Sequence, residues 1–228
     1  MYKAVIFDMD GTIVDTERVW GAATCKLLEE KRIPCTPELL QLIRTHIQGL
    51  DVVNSCRVIK EITGMTDDVK TLCEEKEALA HGLYEAGITY LEGFVEFHNK
   101  LRERGIKTAI ATNARSLTIH LTQNALNIRH FFGEHVYGLD DVAGKGKPNP
   151  DIYLLAASKI NVNPQLCVVV EDSAHGIAAG QAAGMFCIGI NSSGNKAQTQ
   201  HADLMIDGYA DINIDMLFES LDKDMKGH

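Results

Sequence analysis

The sequence predicts an α/β fold: a doubly wound, mainly parallel sheet with a helical domain inserted after its first strand. Two observations predict it. Several short apolar runs rich in β-branched residues stop abruptly at polar residues, and the first three lead into helical patterns. Residues 16–87, by contrast, hold no good strand and carry helix start and stop signals. Continuous apolar runs suit strands buried on both faces, as in a parallel sheet.

Taken in order, AVIF before Asp8 is the first strand. Four helices follow. The first spans roughly 16–31. A second starts at Thr36-Pro37-Glu38, an N-cap with proline at the first helical position. A third runs over 51–62 and is ended by Thr63-Gly64. The fourth opens at Thr66-Asp67-Asp68, with acidic residues in its first turn. The sheet resumes with TAIA before Thr112, HVYG at 135–138, and CVVV before Glu171-Asp172, then the weaker FCIGI and ADLMI. The expected division is 1–15 plus 88–228 for the α/β core and 16–87 for the insertion.

At 228 residues and 45% hydrophobic, the chain can build one large domain with a modest insertion. A formal charge of −9 argues against a nucleic-acid or anionic-membrane partner. Six cysteines form no CxxC pair, so they read as reduced, mostly buried thiols of a cytoplasmic protein. There is no leader pattern, and no apolar run approaches the ~18 residues of a membrane span.

In open α/β sheets ligands bind beyond the carboxyl ends of the strands. Three predicted strands end in Asp8, Thr112 and Glu171-Asp172, so the sequence proposes an acidic cleft holding a hydroxyl. Asp8 and Asp10 in DMDG add two like charges next to each other. Alone, DxDG reads equally well as a turn. An EF-hand fits worse, because Gly11 falls at the fourth position from Asp8 instead of the sixth. Clustered carboxylates need a cation or a shared proton, and hard oxygens suit Mg²⁺. Phosphoryl transfer suits the arrangement: Asp8 attacks phosphorus, while Asp10 serves the leaving alkoxide and then the attacking water. Gly11 lets the chain turn away close to the site. Lys147 in GKGKPNPDIY is the candidate second cation for the phosphate oxygens. This loop is not a Walker A site, since Gly146 follows Gly144-Lys145.

With these motifs in place, the chain resembles the haloacid dehalogenase-like (HAD) hydrolase superfamily, with a Rossmann-like core and a cap inserted after the first strand. Four stretches carry the resemblance: VIFDMDGTIVDTE, TAIATNA, GKPNPDIY and VVVEDSAHGIAAGQAAG, in the family's order over nearly the whole chain. The resemblance implies Asp8 as nucleophile and Asp10 as general acid/base. It gives Mg²⁺ to the Asp8 carboxylate, the Asp10 backbone carbonyl and Asp172, helped directly or through water by Glu171. Thr112 and neighbouring N–H groups, with Asn113 nearby, would bind phosphate, and Lys147 would stabilise charge.

Within the superfamily, Asp10 favours phosphate esters over dehalogenation or phosphonate cleavage. The branch it most resembles contains β-phosphoglucomutase and sugar-phosphate phosphatases. Mutases of that branch carry a His where this chain has Trp20, and an Arg in the loop that here reads GLDVVNS. The expectation is therefore a Mg²⁺-dependent phosphomonoester hydrolase acting on a small phosphorylated metabolite such as a sugar phosphate, as a monomer or weak homo-oligomer. A hexose-phosphate mutase is the alternative. A non-catalytic binding protein on the same fold is disfavoured by the presence of Asp8, Asp10, Lys147 and Asp172. Trp20 reads first as packing within the insertion. Thr16 and Glu17 read as a hinge or substrate contact, and His175 as a surface or supporting residue. Gly176, Gly180 and Gly184 read as a small-residue helix face packed on the sheet.

Overall fold

The computed structural model describes residues 1–48, 50–84 and 87–218, with the side chains of Glu17 and Phe218 outside the description. Residues 219–228, assigned above to the core, also lie outside the described residues. The order is β1 (Ala4–Phe7), α1 (Glu17–Glu30), α2 (Pro37–Ile47), α3 (Val52–Thr63), α4 (Val69–Tyr84), α5 (Phe94–Glu103), β2 (Lys107–Ala111), α6 (Ser116–Leu126), α7 (Arg129–Phe132), β3 (Val136–Tyr137), α8 (Asp151–Lys159), β4 (Cys167–Glu171), α9 (Ala174–Ala182), β5 (Phe186–Ile190), β6 (Leu204–Ile206) and α10 (Ile214–Phe218).

The six strands form one parallel sheet in the order β3-β2-β1-β4-β5-β6. Both faces of β1 are buried, which is why its sequence is apolar throughout instead of alternating. Period-two geometry still divides its residues. Val5 and Phe7 join the cluster under α5, where Phe7 meets Phe94 and Phe132 with ring centroids 5.8 Å away in each case. Ala4 and Ile6 face the other cluster, with Tyr153 of α8 and Ile177 of α9. Each fully buried large side chain contributes about 1.5–3 kcal/mol, so this two-sided core fixes the strand ends that carry the chemistry.

Helices α1–α4 pack around an apolar cluster of their own, including Leu27, Leu28, Ile43, Ile59 and Leu72. Local signals set their ends. Thr36 caps α2 by accepting from the Leu39 N–H at 3.2 Å, and Asp51 caps α3 by accepting from Asn54 at 3.0 Å. Gly64 closes α3 with φ +73°, a conformation that favours glycine. The insert is entered and left side by side. Asp15 N–H donates to Thr89 O, Leu91 N–H donates to Ile13 O, both at 2.9 Å, and Val14 bridges Tyr90 antiparallel.

Three expectations are corrected. Helix α4 begins at Val69, so Asp67 and Asp68 precede it. Asp68 accepts from the N–H groups of Lys70 and Thr71, while Asp67 pairs with Lys31 at 2.7 Å. Cys25 and Cys35 form a disulfide, because the turn after α1 brings their Cα atoms to 5.4 Å, within bridging range. The other four cysteines are free and buried. Gly176 and Gly180 do pack closely, but a Cβ on Gly184 would meet nothing within 4 Å. Gly184 instead sits just past α9 at φ +74°, as a helix terminator. Among the described residues, no helix is long and apolar enough to cross a membrane.

Candidate active site

Because β1 lies between β2 and β4 and all three are parallel, their carboxyl ends share one rim. Asp8 follows β1 directly, Thr112 follows β2, and Glu171-Asp172 ends and follows β4. The convergence expected from the sequence is present. These residues line a cavity of about 250 Å³, with Asp10, Gly11, Asn113 and Lys147 also on its wall.

Lys147 is the hub. Its ammonium donates to Asp8 Oδ1 at 2.5 Å and to Glu171 Oε1 at 2.7 Å, with all three side chains at least 90% buried. It also lies 4.9 Å from the centroid of the Tyr153 ring. Burial alone would lower its pKa, but Asp8 and Glu171 outweigh burial and hold it above the usual lysine value. Asn113 holds the loop in place: its Oδ1 accepts from Lys147 N–H at 2.9 Å, and its amide nitrogen donates to Lys147 O at 3.4 Å. The Thr112 hydroxyl accepts from Ala114 N–H at 3.1 Å, at a residue 1% exposed.

Glu171 is saturated. Lys147 and the Tyr153 hydroxyl donate to Oε1, and the Ser173 N–H and hydroxyl both donate to Oε2 at 2.9 Å. The absence of a Cβ on Gly176 makes the space: a methyl there would lie 1.7 Å from Glu171 Oε1. Gly11 does the same for Asp172. It has φ +79°, and a Cβ would lie 2.4 Å from Asp172 Oδ2.

Asp8, Glu171 and Asp172 form a group whose ligand atoms lie within 4.8 Å of one another. Burial pushes the Asp8 carboxyl up to about 7 against the pull of Lys147, with Glu171 and Asp10 adding to the rise. Burial raises Asp172 well above the carboxylate range, and Glu171 and Asp8 raise it further. Crowded, dry carboxylates of this kind fit a hard divalent cation, whose charge would offset both effects. The cation's oxygens are best offered by Asp8 and Asp172, since Glu171 already has four donors.

The Asp10 carboxylate stands outside that group and is held from the insert. Thr16 Oγ1 donates to its Oδ1 at 2.7 Å and the Tyr84 hydroxyl at 3.4 Å. Burial raises its pKa, while hydrogen bonds from Thr16, Tyr84 and Trp20 pull it back in part. Trp20 is more than packing, since it lines the cavity beside Asp10. The insert adds residues not singled out from the sequence: Arg44, Gln48 and Lys76 on the cavity wall, and Tyr84 bonded to Asp10. Gln48 reaches across to the loop after β5, donating to the Ser193 hydroxyl at 2.8 Å. The only sequence signal for these residues was their place in the inserted helices. Among the described residues, His175 makes no hydrogen bond to the cluster, and its buried Nδ1 has no partner.

The family model of haloacid dehalogenase-like hydrolases matches residues 2–184. The chain belongs to this family. It is 30% identical to the β-phosphoglucomutase of Bacillus subtilis, over 95% of this chain and 94% of that one. It is 32% identical to a phosphorylated carbohydrates phosphatase of Thermotoga maritima, over 80% of this chain and 82% of that protein. The crystal structure of a HAD hydrolase of family IA, variant 3, from Entamoeba histolytica superposes with a TM-score of 0.82 at 26% identity, covering 95% of this chain and 98% of that one. The HAD family is thus reached by motif, by sequence and by fold.

Proposed function

We propose that the chain is a Mg²⁺-dependent phosphatase of small phosphorylated metabolites, sugar phosphates foremost, working through an aspartyl phosphate on Asp8. The observation that carries this reading is the Lys147–Asp8 contact at the sheet rim, with Asp10 held separately by Thr16 and Tyr84. Asp8 and Asp172 would hold the metal, with the Asp10 backbone carbonyl as the third donor implied by the family. When bound, Mg²⁺ supplies positive charge that offsets repulsion between a carboxylate and a phosphate dianion.

The chain's own residues then divide the work. Lys147 orients Asp8 and, with the Thr112 hydroxyl, holds the phosphoryl oxygens. An Asp8 oxygen forms the new bond to phosphorus as the ester P–O bond breaks. Asp10, whose pKa burial raises, gives its proton to the departing alkoxide. It then takes a proton from the water that attacks the phosphoryl group, releasing phosphate and restoring Asp8. Helices α1–α4, taken as a cap over residues 16–87, would exclude bulk water, and Thr16 at the entry to α1 ties their position to Asp10. The proposed site residues are those of the sequence reading, with Asn113 and Glu171 recast as holders of Lys147. The four buried free thiols accord with a cytoplasmic location, which would leave the Cys25–Cys35 bond to oxidising conditions.

A mutase is the second reading, favoured by the similarity to the B. subtilis enzyme over nearly the whole chain. It would return the phosphoryl group to a sugar hydroxyl in place of water. Inorganic phosphate release from a panel of sugar phosphates, with and without Mg²⁺, separates the two. The expected outcome is Mg²⁺-dependent release that falls at least about 10⁴-fold in Asp8→Asn. Isomer interconversion that needs a bisphosphate primer, with little phosphate released, would replace the phosphatase by the mutase.

A further inference from the structure

Thr12 lies two residues after Asp10 and one after Gly11, in the turn that carries the Asp10 carboxylate. That turn closes on itself. Met9 O accepts from the N–H groups of Ile13 and Val14, each at 3.0 Å, and Gly11 N–H donates to Val14 O at 2.9 Å. A shift of one peptide in it is therefore passed to the others. Thr12 is fully buried, and its hydroxyl has no partner among the described residues. Its carbonyl is met by the Tyr209 hydroxyl, which donates at 2.9 Å from the turn between β6 and α10. Among the described residues, no other hydrogen bond reaches that carbonyl.

Tyr209 is itself buried, and its ring packs on Phe97 and Phe94 with centroids 5.2 and 5.8 Å away. A phenylalanine would fill the same space, as it does at those two neighbours. A buried hydroxyl costs free energy unless it is bonded, so the bond to Thr12 is what offsets its presence. Burial, with Asp8 and Asp172 adding to the effect, holds the phenol well above the ordinary tyrosine value, and it keeps the proton that it donates. Tyr209 does not line the reaction cavity, and it lies beyond residue 184, where the family model ends. It reaches the site from behind, through the main chain.

We propose that Tyr209 is a positioning residue: its hydroxyl fixes the Thr12 peptide and thereby holds the Asp10 carboxylate in line with the leaving group. This rests on the phosphatase reading above, and it gives the segment after β6 a part in the reaction.

The test is Tyr209→Phe, which keeps the ring and leaves the buried Thr12 carbonyl without a donor. Two esters are compared by kcat/KM, which covers the steps up to the aspartyl phosphate and leaves out Asp10's later work on water. One is the sugar phosphate that the parent hydrolyses best, whose alkoxide needs a proton. The other is p-nitrophenyl phosphate, whose phenolate leaves with little help from an acid. The expected loss is about tenfold on the sugar phosphate and within about twofold on p-nitrophenyl phosphate. Phe97→Leu loosens the same aromatic cluster without touching Thr12, so it should lower Tm and leave the ratio of the two esters unchanged. No loss in Tyr209→Phe, an equal loss on both esters, or the same change of ratio in Phe97→Leu overturns the inference and leaves the phosphatase standing. Failure of the parent to hydrolyse any ester, p-nitrophenyl phosphate included, sinks the phosphatase reading instead. Crystal structures of the parent and Tyr209→Phe then decide the matter for Tyr209. Loss of the 2.7 Å contact between Asp10 Oδ1 and Thr16 Oγ1 in the variant supports the inference, and an unchanged turn overturns it.

Discussion

Two ammonium groups face one cavity under opposite conditions. Lys147, on a core loop, is clasped by Asp8 and Glu171, and Glu171 is itself held by Tyr153 and Ser173. Lys76, on the insert, has a tryptophan face, the Cys56 and Cys73 thiols, and Glu77 acting on it from the same cavity wall. Both are buried to nearly the same degree. The difference teaches where each part of the site does its work. At the rim Lys147 already holds Asp8 and Glu171 before any substrate arrives, which preorganises the reacting groups. The insert side is held by looser contacts, which suits recognition.

The comparison breaks most sharply at Lys147. Replacing Lys147 with Met should lower phosphate release by about 10³-fold or more. It should also destabilise the fold by about 3–5 kcal/mol, since Asp8 and Glu171 lose their shared cation. Thermal melting of Lys147→Met beside the parent is the direct check: a lowered Tm is expected. A Lys147 variant as stable as the parent would show that the rim does not depend on its cation.

An intermediate effect is expected at Gly11→Ala. A methyl there meets Asp172 Oδ2 at 2.4 Å and forces an L-residue to φ +79°, a strain of about 1–2 kcal/mol. Displacing Asp172 should raise the Mg²⁺ concentration for half-maximal activity by about tenfold, read from metal activation curves. An unchanged curve would remove Asp172 from the proposed metal site. The smallest effect is expected where the two regions touch. Tyr84→Phe removes one long hydrogen bond to Asp10, worth about 1 kcal/mol, so kcat should drop roughly fivefold. A loss beyond a hundredfold would mean that the insert sets Asp10's protonation as much as the core does.

The same division explains what could be read from the chain alone. Asp8, Thr112 and Glu171-Asp172 sit at strand ends, and an apolar run that stops at a polar residue marks a strand end in the sequence itself. Parallel pairing then dictates that the ends meet. Lys147 needed only its place between strands. The insert gave no such landmark. Lys76 and Trp20 belong to separate helices, and helix periodicity does not say how α1 and α4 are rotated against each other. Two of the four donors around Glu171, the Lys147 ammonium and the Tyr153 hydroxyl, come from α8 and the loop before it folding back, which no local pattern records. Gly184 was misread for a related reason: a four-residue repeat describes a helix face only while the helix lasts. The Cys25–Cys35 pairing depended on how tightly the turn after α1 closes.

The two strands of chain that join the insert to the core run antiparallel and adjacent, bonded through Asp15–Thr89 and Ile13–Leu91. A segment whose ends already touch can be lengthened, shortened or exchanged without disturbing the sheet on either side. The architecture is therefore modular: the catalytic half can stay constant while the recognition half is swapped through one narrow splice point. New substrate preferences can arise there by grafting, with the reaction at Asp8 left intact.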